Sequence, residues 1–219
     1  MTKKDKGTVM SNKITDANKD SLSRRGLLKV LAAGMLAAAA IPLIPHLGST
    51  QATATGTGRK KMLIVYYSFS GNTKYIAEKI REKTGGDVFE IETVKTYPAV
   101  YSALTEEAKR ELQTGDLPAL KKNPPDMSSY DLILVGGPVW WYTVPTPVMS
   151  FLRKADFAGK KASAFCTHEG GIGKYFPHFK EQAKNAVVLE GLDLYKPRQA
   201  GKGEVDKALD AWLGKLQNK

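Results

Sequence analysis

Short apolar runs alternate with segments of helical composition between residues 61 and 219, and this alternation constrains the fold more than any other feature of the chain. The first run is almost continuously apolar and β-branched, as is typical of a central parallel strand buried on both faces. Strands that alternate with helices predict an α/β fold with a doubly wound parallel sheet. Five strands are predicted: Met62–Tyr67, Asp87–Glu92, Asp131–Val135, Lys161–Thr167 and Ala186–Leu189.

Helical patterns follow the strands. The clearest is the last, in which apolar residues recur at i, i+4, i+7, i+8 and i+11, as on one face of an amphipathic helix; they are Val205, Leu209, Trp212, Leu213 and Leu216. Earlier helices are predicted over Thr73–Lys83, within Pro98–Leu112, and over Pro147–Lys154 and Tyr175–Asn185. No internal repeat is visible, so we predict one compact domain over residues 61–219.

The first 54 residues have the organisation of an export signal. A polar, charged start leads to the sequence SRRGLLK at residues 23–29, and an alanine-rich apolar segment and a tail of small residues follow. Export signals have this order. The paired Arg24 and Arg25 resemble a twin-arginine translocation signal. This resemblance implies export of an already folded protein to the periplasm or the extracytoplasmic face.

The alternative interpretation of the apolar segment is a transmembrane anchor. Pro42 and Pro45 interrupt it before about 20 apolar residues accumulate, which favours a signal. Ala52-Thr53-Ala54 offers a small-residue cleavage site. We therefore expect a signal peptide over residues 1–54, a linker over residues 55–60 and a mature chain that begins at Thr55. Contact with the membrane would be limited to export, unless the signal stays uncleaved.

The formal net charge of +11 is divided between these parts. Residues 1–54 hold eight Lys and Arg against three Asp and Glu, so +5 belongs to them and +6 to the rest. The remaining basic residues are mixed with acidic ones, without the concentrated basic element of a nucleic-acid-binding protein. We expect a solvated basic surface and no nucleic-acid partner.

Cys166 is the single cysteine and lies inside an apolar run. One sulfur can form neither an intramolecular disulfide nor a thiolate metal cluster. No charged activator accompanies it in its own strand, so we expect a buried, inert thiol rather than a nucleophile. No metal site is predicted.

The turn after the first predicted strand is unusually rich in hydrogen-bonding side chains. In doubly wound sheets, ligands bind beyond the carboxyl ends of the strands. A helix that begins there presents free N–H groups and favours an anion, and a glycine allows the backbone to approach it closely. Neutral donors without a lysine in the turn fit a monophosphate. The predicted binding residues are Ser68, Phe69, Ser70, Gly71, Asn72 and Thr73.

Two further loops follow the third and fourth predicted strands. The first contains three successive aromatic residues, which cannot all point into one core, so Trp140 or Trp141 is expected to form a stacking surface for a flat ligand. In the second, His168 and Glu169 are either surface residues or contacts to the edge of that ligand. The predicted binding residues of these loops are Pro138, Val139, Trp140, Trp141, Tyr142, Thr167, His168, Glu169, Gly170 and Gly171.

The SFSGNT sequence at residues 68–73 resembles the T/S-x-T/S-G-x-T phosphate loop of the flavodoxin family, whose members bind flavin mononucleotide (FMN). The sequences GGPVWWY at residues 136–142 and THEGGIG at residues 167–173 are similar to the other two flavin loops of that family. The resemblance spans residues 61–219 and implies strand order 2-1-3-4-5, the short-chain type and FMN as cofactor. Tyr175 is a candidate for the outer stacking residue.

Other phosphate-binding motifs fit less well. Lys174 follows a glycine-rich stretch but is succeeded by Tyr175 and lacks the spacing of a nucleoside triphosphate loop. A dinucleotide fingerprint after the first strand is missing. The acidic cluster that a phosphoacceptor receiver domain needs at its strand ends is also missing, because hydroxyls, glycines and tryptophans stand there.

The resemblance implies an exported FMN-binding electron-transfer protein, in which the cofactor performs the redox chemistry. The alternatives are an FMN-dependent NAD(P)H:quinone-type reductase and a non-redox binding module that has lost the flavin. No catalytic acid, base or nucleophile is nominated. Classical flavodoxins are strongly acidic whereas this chain is basic, so we expect a redox partner that is acidic or associated with an anionic membrane.

Overall fold

The computed structural model describes residues 60–218. The predicted export signal and the linker up to residue 59 therefore lie outside the described residues. The elements are, in order, β1 (Met62–Tyr66), α1 (Asn72–Thr84), β2 (Asp87–Glu90), α2 (Tyr101–Thr114), β3 (Leu132–Pro138), α3 (Thr146–Lys154), β4 (Lys161–His168), α4 (Tyr175–Gln182), β5 (Val187–Val188), β6 (Leu192–Tyr195) and α5 (Lys202–Gln217).

The strands form one parallel sheet in the order β2-β1-β3-β4-β5, and β6 pairs with β4 as well. This confirms the predicted fold class and strand order. Because β1 lies between β2 and β3, the winding reverses there, and the loops after β1 and β3 flank the reversal. Ligands of open α/β sheets bind in this kind of crevice.

The third strand is longer than predicted. It was expected to end at Val135, but β3 continues through Gly136 and Gly137 to Pro138, which pairs with Thr167 of β4. A Cβ built on Gly136 would lie less than 3.0 Å from the ring of Phe165. Glycine at this position therefore leaves room for the Phe165 ring against the backbone of β3. The strands β3 and β4 can then stay paired up to their carboxyl ends.

The predicted fifth strand, Ala186–Leu189, corresponds only to the short β5. A second piece, β6, continues the same edge beside β4. Between the two pieces, Phe176 of α4 occupies the space above Gly191, where a Cβ would lie less than 3.0 Å from the ring. The sheet edge is thus interrupted by a helix side chain.

Helices cover both faces of the sheet. One apolar cluster joins the sheet to α2, α3 and α4, and the other joins it to α1 and α5. Side chains of β1 alternate between them, with Leu63 and Val65 in the first cluster and Met62, Ile64 and Tyr66 in the second. The predicted apolar face of the last helix is confirmed, since all five of its residues are buried in the second cluster.

Cys166 is completely buried in β4. The predicted burial of the thiol is confirmed, and this burial raises its pKa well above the ordinary value, which disfavours the reactive thiolate. Within residues 60–218, no helix has the length and apolar character needed to cross a membrane.

A candidate cofactor site at the carboxyl ends of the central strands

A cavity of about 750 Å³ opens beyond the carboxyl ends of β1, β3 and β4. Its volume lies in the range of small-molecule and cofactor sites. Four segments line it: the turn after β1, helix α2, the loop after β3 and the loop after β4. The lining residues are Phe69, Ser70, Asn72, Tyr101, Leu104, Thr105, Glu106, Ala108, Pro138, Val139, Trp140, Trp141, Tyr142, Thr167, His168, Glu169, Gly170 and Gly171.

The turn at residues 68–73 divides its polar side chains between two tasks. Ser70 and Asn72 line the cavity. Ser68 accepts a hydrogen bond from the backbone N–H of Lys74 at 3.1 Å, and the buried Thr73 shares a 2.8 Å hydroxyl contact with Thr167 of β4. Ser68 and Thr73 therefore hold the turn in shape, and Thr73 ties it to the end of β4.

The same turn presents unused backbone donors. Gly71 adopts a left-handed conformation, with φ of 88°, and helix α1 begins at the next residue. Within the described part of the chain, the N–H groups of residues 70–73 donate to no acceptor. A row of free N–H groups at a helix N-terminus is suited to an anion.

The loop after β3 places an aromatic wall along the cavity. The ring of Trp140 packs edge-on against Tyr67, Phe69 and Tyr97, with centroid separations of 5.5, 6.2 and 5.1 Å. Backbone hydrogen bonds between Trp140 and Thr143, at 3.0 and 3.2 Å, close the turn. Trp140 is thus a fixed part of the wall.

Trp141 and Tyr142 occupy the tip of this turn with positive φ angles of 49° and 59°, a conformation that L-residues seldom adopt. Trp141 is 45% exposed and Tyr142 is 65% exposed. The indole Nε1 of Trp141 donates to the carbonyl of Thr105 in α2 at 2.9 Å. This bond joins the loop to the opposite wall of the cavity and offsets part of the strain of the turn.

In the loop after β4, His168 contacts two acceptors. Its Nδ1 lies against the carbonyl oxygen of Gly170, and its Nε2 lies 3.4 Å from a carboxylate oxygen of Asp193 in β6. Glu169, Gly170 and Gly171 are exposed along the cavity. The main-chain N–H groups of residues 169–171 are therefore available to a polar ligand edge, while the histidine side chain contacts the Gly170 carbonyl and fixes the loop.

The structure brings together the three predicted loops, and thirteen of their sixteen predicted residues line the cavity; Ser68, Gly71 and Thr73 do not. The binding roles of all sixteen stay predictions. Tyr175 is wrong as an outer stacking residue, because it is only 1% exposed and packs in the core, with its hydroxyl 3.5 Å from the carbonyl oxygen of Phe165 in β4. Its position beside the third loop in sequence suggested the role, but helix α4 begins there and turns the ring inward.

The wall formed by α2 was not predicted from the sequence. Tyr101, Leu104, Thr105 and Ala108 follow helical spacing, which indicates one face of a helix but not what that face meets.

Behind this wall lies a buried polar cluster. The carboxylate of Glu111 accepts hydrogen bonds from Tyr97 at 2.7 Å and Thr146 at 2.5 Å and pairs with Lys95. Burial, with the charge of Glu111, raises the pKa of Tyr97, so its phenol stays a donor.

Groups of three or more His, Cys, Asp or Glu side chains that could hold a metal ion do not occur among the described residues. The site therefore consists of hydroxyls, backbone amides and aromatic rings around a cavity at the point where the winding reverses. This arrangement defines the class of flavodoxin-like α/β proteins.

Comparison with known proteins agrees with this class. A family model described as flavodoxin matches residues 61–213, and the chain belongs to the flavodoxin family. Among curated proteins, none matches the chain.

Solved structures similar to this one include three bacterial proteins. A flavoprotein from Lactobacillus acidophilus NCFM, solved in complex with FMN, is 32% identical over 68% of this chain and 97% of its own, with a TM-score of 0.57. A protein from Bacteroides eggerthii is 25% identical over 69% and 97%, and one from Bacteroides uniformis is 26% identical over 69% and 98%; both have TM-scores of 0.59. The chain thus spans nearly the whole length of each relative.

Proposed function

We propose that this chain is an FMN-binding electron-transfer protein. The observation that carries the proposal is the convergence of unused backbone N–H groups at residues 70–73, the indole of Trp140 and the exposed main chain of residues 169–171 on one cavity. The Lactobacillus acidophilus relative, a flavoprotein solved with FMN, supports the choice of cofactor.

The residues fit FMN part by part. The N–H groups and the Ser70 and Asn72 side chains would hold the phosphate, because they combine helix N-terminal donors with neutral polar groups. Trp140, with Trp141 and Tyr142 at the mouth, would cover the ring system, and the main chain of residues 169–171 would bond its polar edge. When bound, FMN supplies one-electron and two-electron redox chemistry.

The protein itself binds, orients and shields. The Trp141–Thr105 bond keeps the loop after β3 against α2, so the aromatic wall cannot open freely to water. The Thr73–Thr167 contact keeps the phosphate loop in register with the loop after β4. Neither task requires an acid, a base or a nucleophile.

A second candidate function is an FMN-dependent NAD(P)H:quinone-type reductase. One observation favours it: the cavity mouth carries exposed aromatic rings, Phe69, Tyr101, Trp141 and Tyr142, which offer a stacking surface for a small planar acceptor. The same surface would equally serve a protein partner, so the two functions are separated by experiment.

The remaining proposals concern place and partner. We propose export by the twin-arginine route, on the basis of the SRRGLLK sequence and the apolar segment that follows it. The net charge of +6 outside residues 1–54 supports a redox partner that is acidic or lies at an anionic membrane surface. Replacing Arg24 and Arg25 by lysine should retain the protein in the cytoplasm if the route is correct.

The decisive experiment is a visible absorption spectrum of the protein purified folded from cytoplasm, before and after dithionite. We expect a flavin spectrum that bleaches, with FMN released by heat. Ser70→Ala should reduce FMN retention, whereas Ser129→Ala, at an exposed serine away from the cavity, should not. Reduction by NAD(P)H alone would favour the reductase. A colourless protein that does not take up FMN would contradict both redox functions and favour the non-redox binding module.

A further inference from the structure

A guanidinium group lies over the turn at residues 68–73. The Nη1 atom of Arg198 is 3.5 Å from the carbonyl oxygen of Ser70, and a Cβ built on Gly71 would be 3.3 Å from the same nitrogen. The two segments are 128 residues apart in sequence. The turn itself carries only neutral donors, so the fold brings the cation to it from a distant segment.

The position of Arg198 is built by the backbone around it. The N–H of Lys196 donates to the carbonyl of His168 at 2.8 Å, which fixes the end of β6 to β4. The N–H groups of Gln199 and Ala200 then donate to the carbonyl of Lys196 at 2.9 and 3.0 Å, which closes a turn. This turn carries the arginine to the phosphate loop.

The charge of Arg198 is not neutralised within the described chain. Among residues 60–218, no carboxylate oxygen lies within 4.0 Å of its guanidinium nitrogens, whereas Arg110 pairs with Glu107 and Asp116. Within the described chain, its side chain donates the long hydrogen bond to Ser70 and no other. The remaining donors of the guanidinium are free for an anion that sits on the N–H groups of residues 70–73.

We propose that Arg198 is a binding residue for the phosphate of FMN and that it makes this chain select FMN over riboflavin. The proposal rests on the proposed function. A guanidinium forms charge-assisted hydrogen bonds to phosphate, which are stronger than those of neutral donors. Because Arg198 is exposed, the attraction is screened by salt, and FMN binding should weaken as ionic strength rises.

The test is titration of the apoprotein with FMN and with riboflavin, at low and high salt. We expect Arg198→Gln to weaken FMN binding about tenfold, the effect of about 1.4 kcal/mol, and to change riboflavin binding less than about twofold. Arg198→Lys should fall between the wild type and Arg198→Gln. Arg153→Gln is the matched control, since Arg153 is also exposed and also donates to a main-chain carbonyl, that of Gly115 at 3.4 Å, away from the cavity.

A second readout uses inorganic phosphate alone. Phosphate should raise the melting temperature of the apoprotein, and Arg198→Gln should remove most of this rise. Equal losses of FMN and riboflavin binding in Arg198→Gln, or no loss of either, would overturn the proposal. If the wild type bound neither flavin but kept an Arg198-dependent response to phosphate, the FMN function would be wrong and the anion site would stand.

Discussion

The hydroxyl of Tyr97 donates a 2.7 Å hydrogen bond to the buried carboxylate of Glu111, and the Tyr97 ring packs against Trp140 with centroids 5.1 Å apart. The polar cluster behind α2 therefore supports the aromatic wall of the cavity. Replacing Glu111 by alanine removes the carboxylate to which the hydroxyls of Tyr97 and Thr146 both donate, leaves them their 3.1 Å contact with each other, and opens a cavity. We expect a loss of about 2–4 kcal/mol in the free energy of unfolding, measured by urea denaturation.

Glu107→Ala is the control for that substitution. Glu107 pairs with the same lysine, Lys95, at 2.5 Å, but its side chain is partly exposed and supports no aromatic ring. Its loss should cost less than about 1 kcal/mol. Similar costs for both variants would show that burial of the Glu111 cluster contributes little.

Thr73→Val should weaken FMN binding although Thr73 does not line the cavity. The substitution keeps the volume and removes the 2.8 Å hydroxyl contact with Thr167 that ties the phosphate loop to β4. A loss of about fivefold to tenfold corresponds to one hydrogen bond of about 1 kcal/mol. Titration of the apoprotein measures it, and Thr73→Ser should bind as the wild type does.

Gly136→Ala should destabilise the fold, because the added methyl group would overlap the Phe165 ring in the middle of the sheet. Overpacking of this kind costs about 1–3 kcal/mol. Gly214→Ala is the opposite case: in α5 nothing lies within 4 Å of the added Cβ. Alanine there should stabilise by about 0.5–1 kcal/mol. Thermal unfolding of both variants compares them directly, and a neutral Gly136→Ala would contradict the packing described.

Acid should weaken the contact between α1 and α5. The hydrogen bond from Lys79, at 2.9 Å, holds the pKa of Asp206 below its ordinary value. A depressed carboxyl pKa contributes stability above the unfolded pKa of about 3.9, and the contribution is lost as pH falls through the folded value. Asp206→Asn should therefore be less stable than the wild type at pH 7, and the difference should shrink below about pH 4.

Denaturant melts across pH 2–7 test this dependence. Glu82→Gln removes a charge from α1 that forms no ion pair among the described residues, so its stability difference should stay small throughout. If Asp206→Asn were less stable than the wild type by the same amount at pH 2 as at pH 7, the effect would come from packing and not from charge.

The sheet could be predicted because its central strands are buried on both faces and read as continuous apolar runs, as Met62–Tyr66 and Leu132–Val135 do. The strand β6 escaped prediction because its residues Asp193 and Tyr195 are exposed and only Leu194 is buried. Four residues with one buried side chain give too weak a pattern to recognise.

Some residues of the candidate site could likewise be predicted from the sequence, and others could not. Its three loops carry local signals, since a turn rich in hydroxyls or aromatics is visible within a few residues. No local signal marks Arg198, Thr105 or Glu111, because each acts through a partner on a distant segment. Glu111 sits in a stretch of good helix formers that suggests a solvated face, yet its side chain is completely buried. Only the tertiary fold brings its partners to it.

The burial of Cys166 in β4 makes the described surface free of reactive thiols. A cysteine introduced at an exposed position such as Tyr142 or Tyr101 would then be the single site open to a maleimide or spin label. Two labels, one on each side of the cavity mouth, could report the distance between α2 and the loop after β3 without prior removal of the native cysteine. The protein is thereby suited to labelling experiments that follow the opening of its cavity in solution.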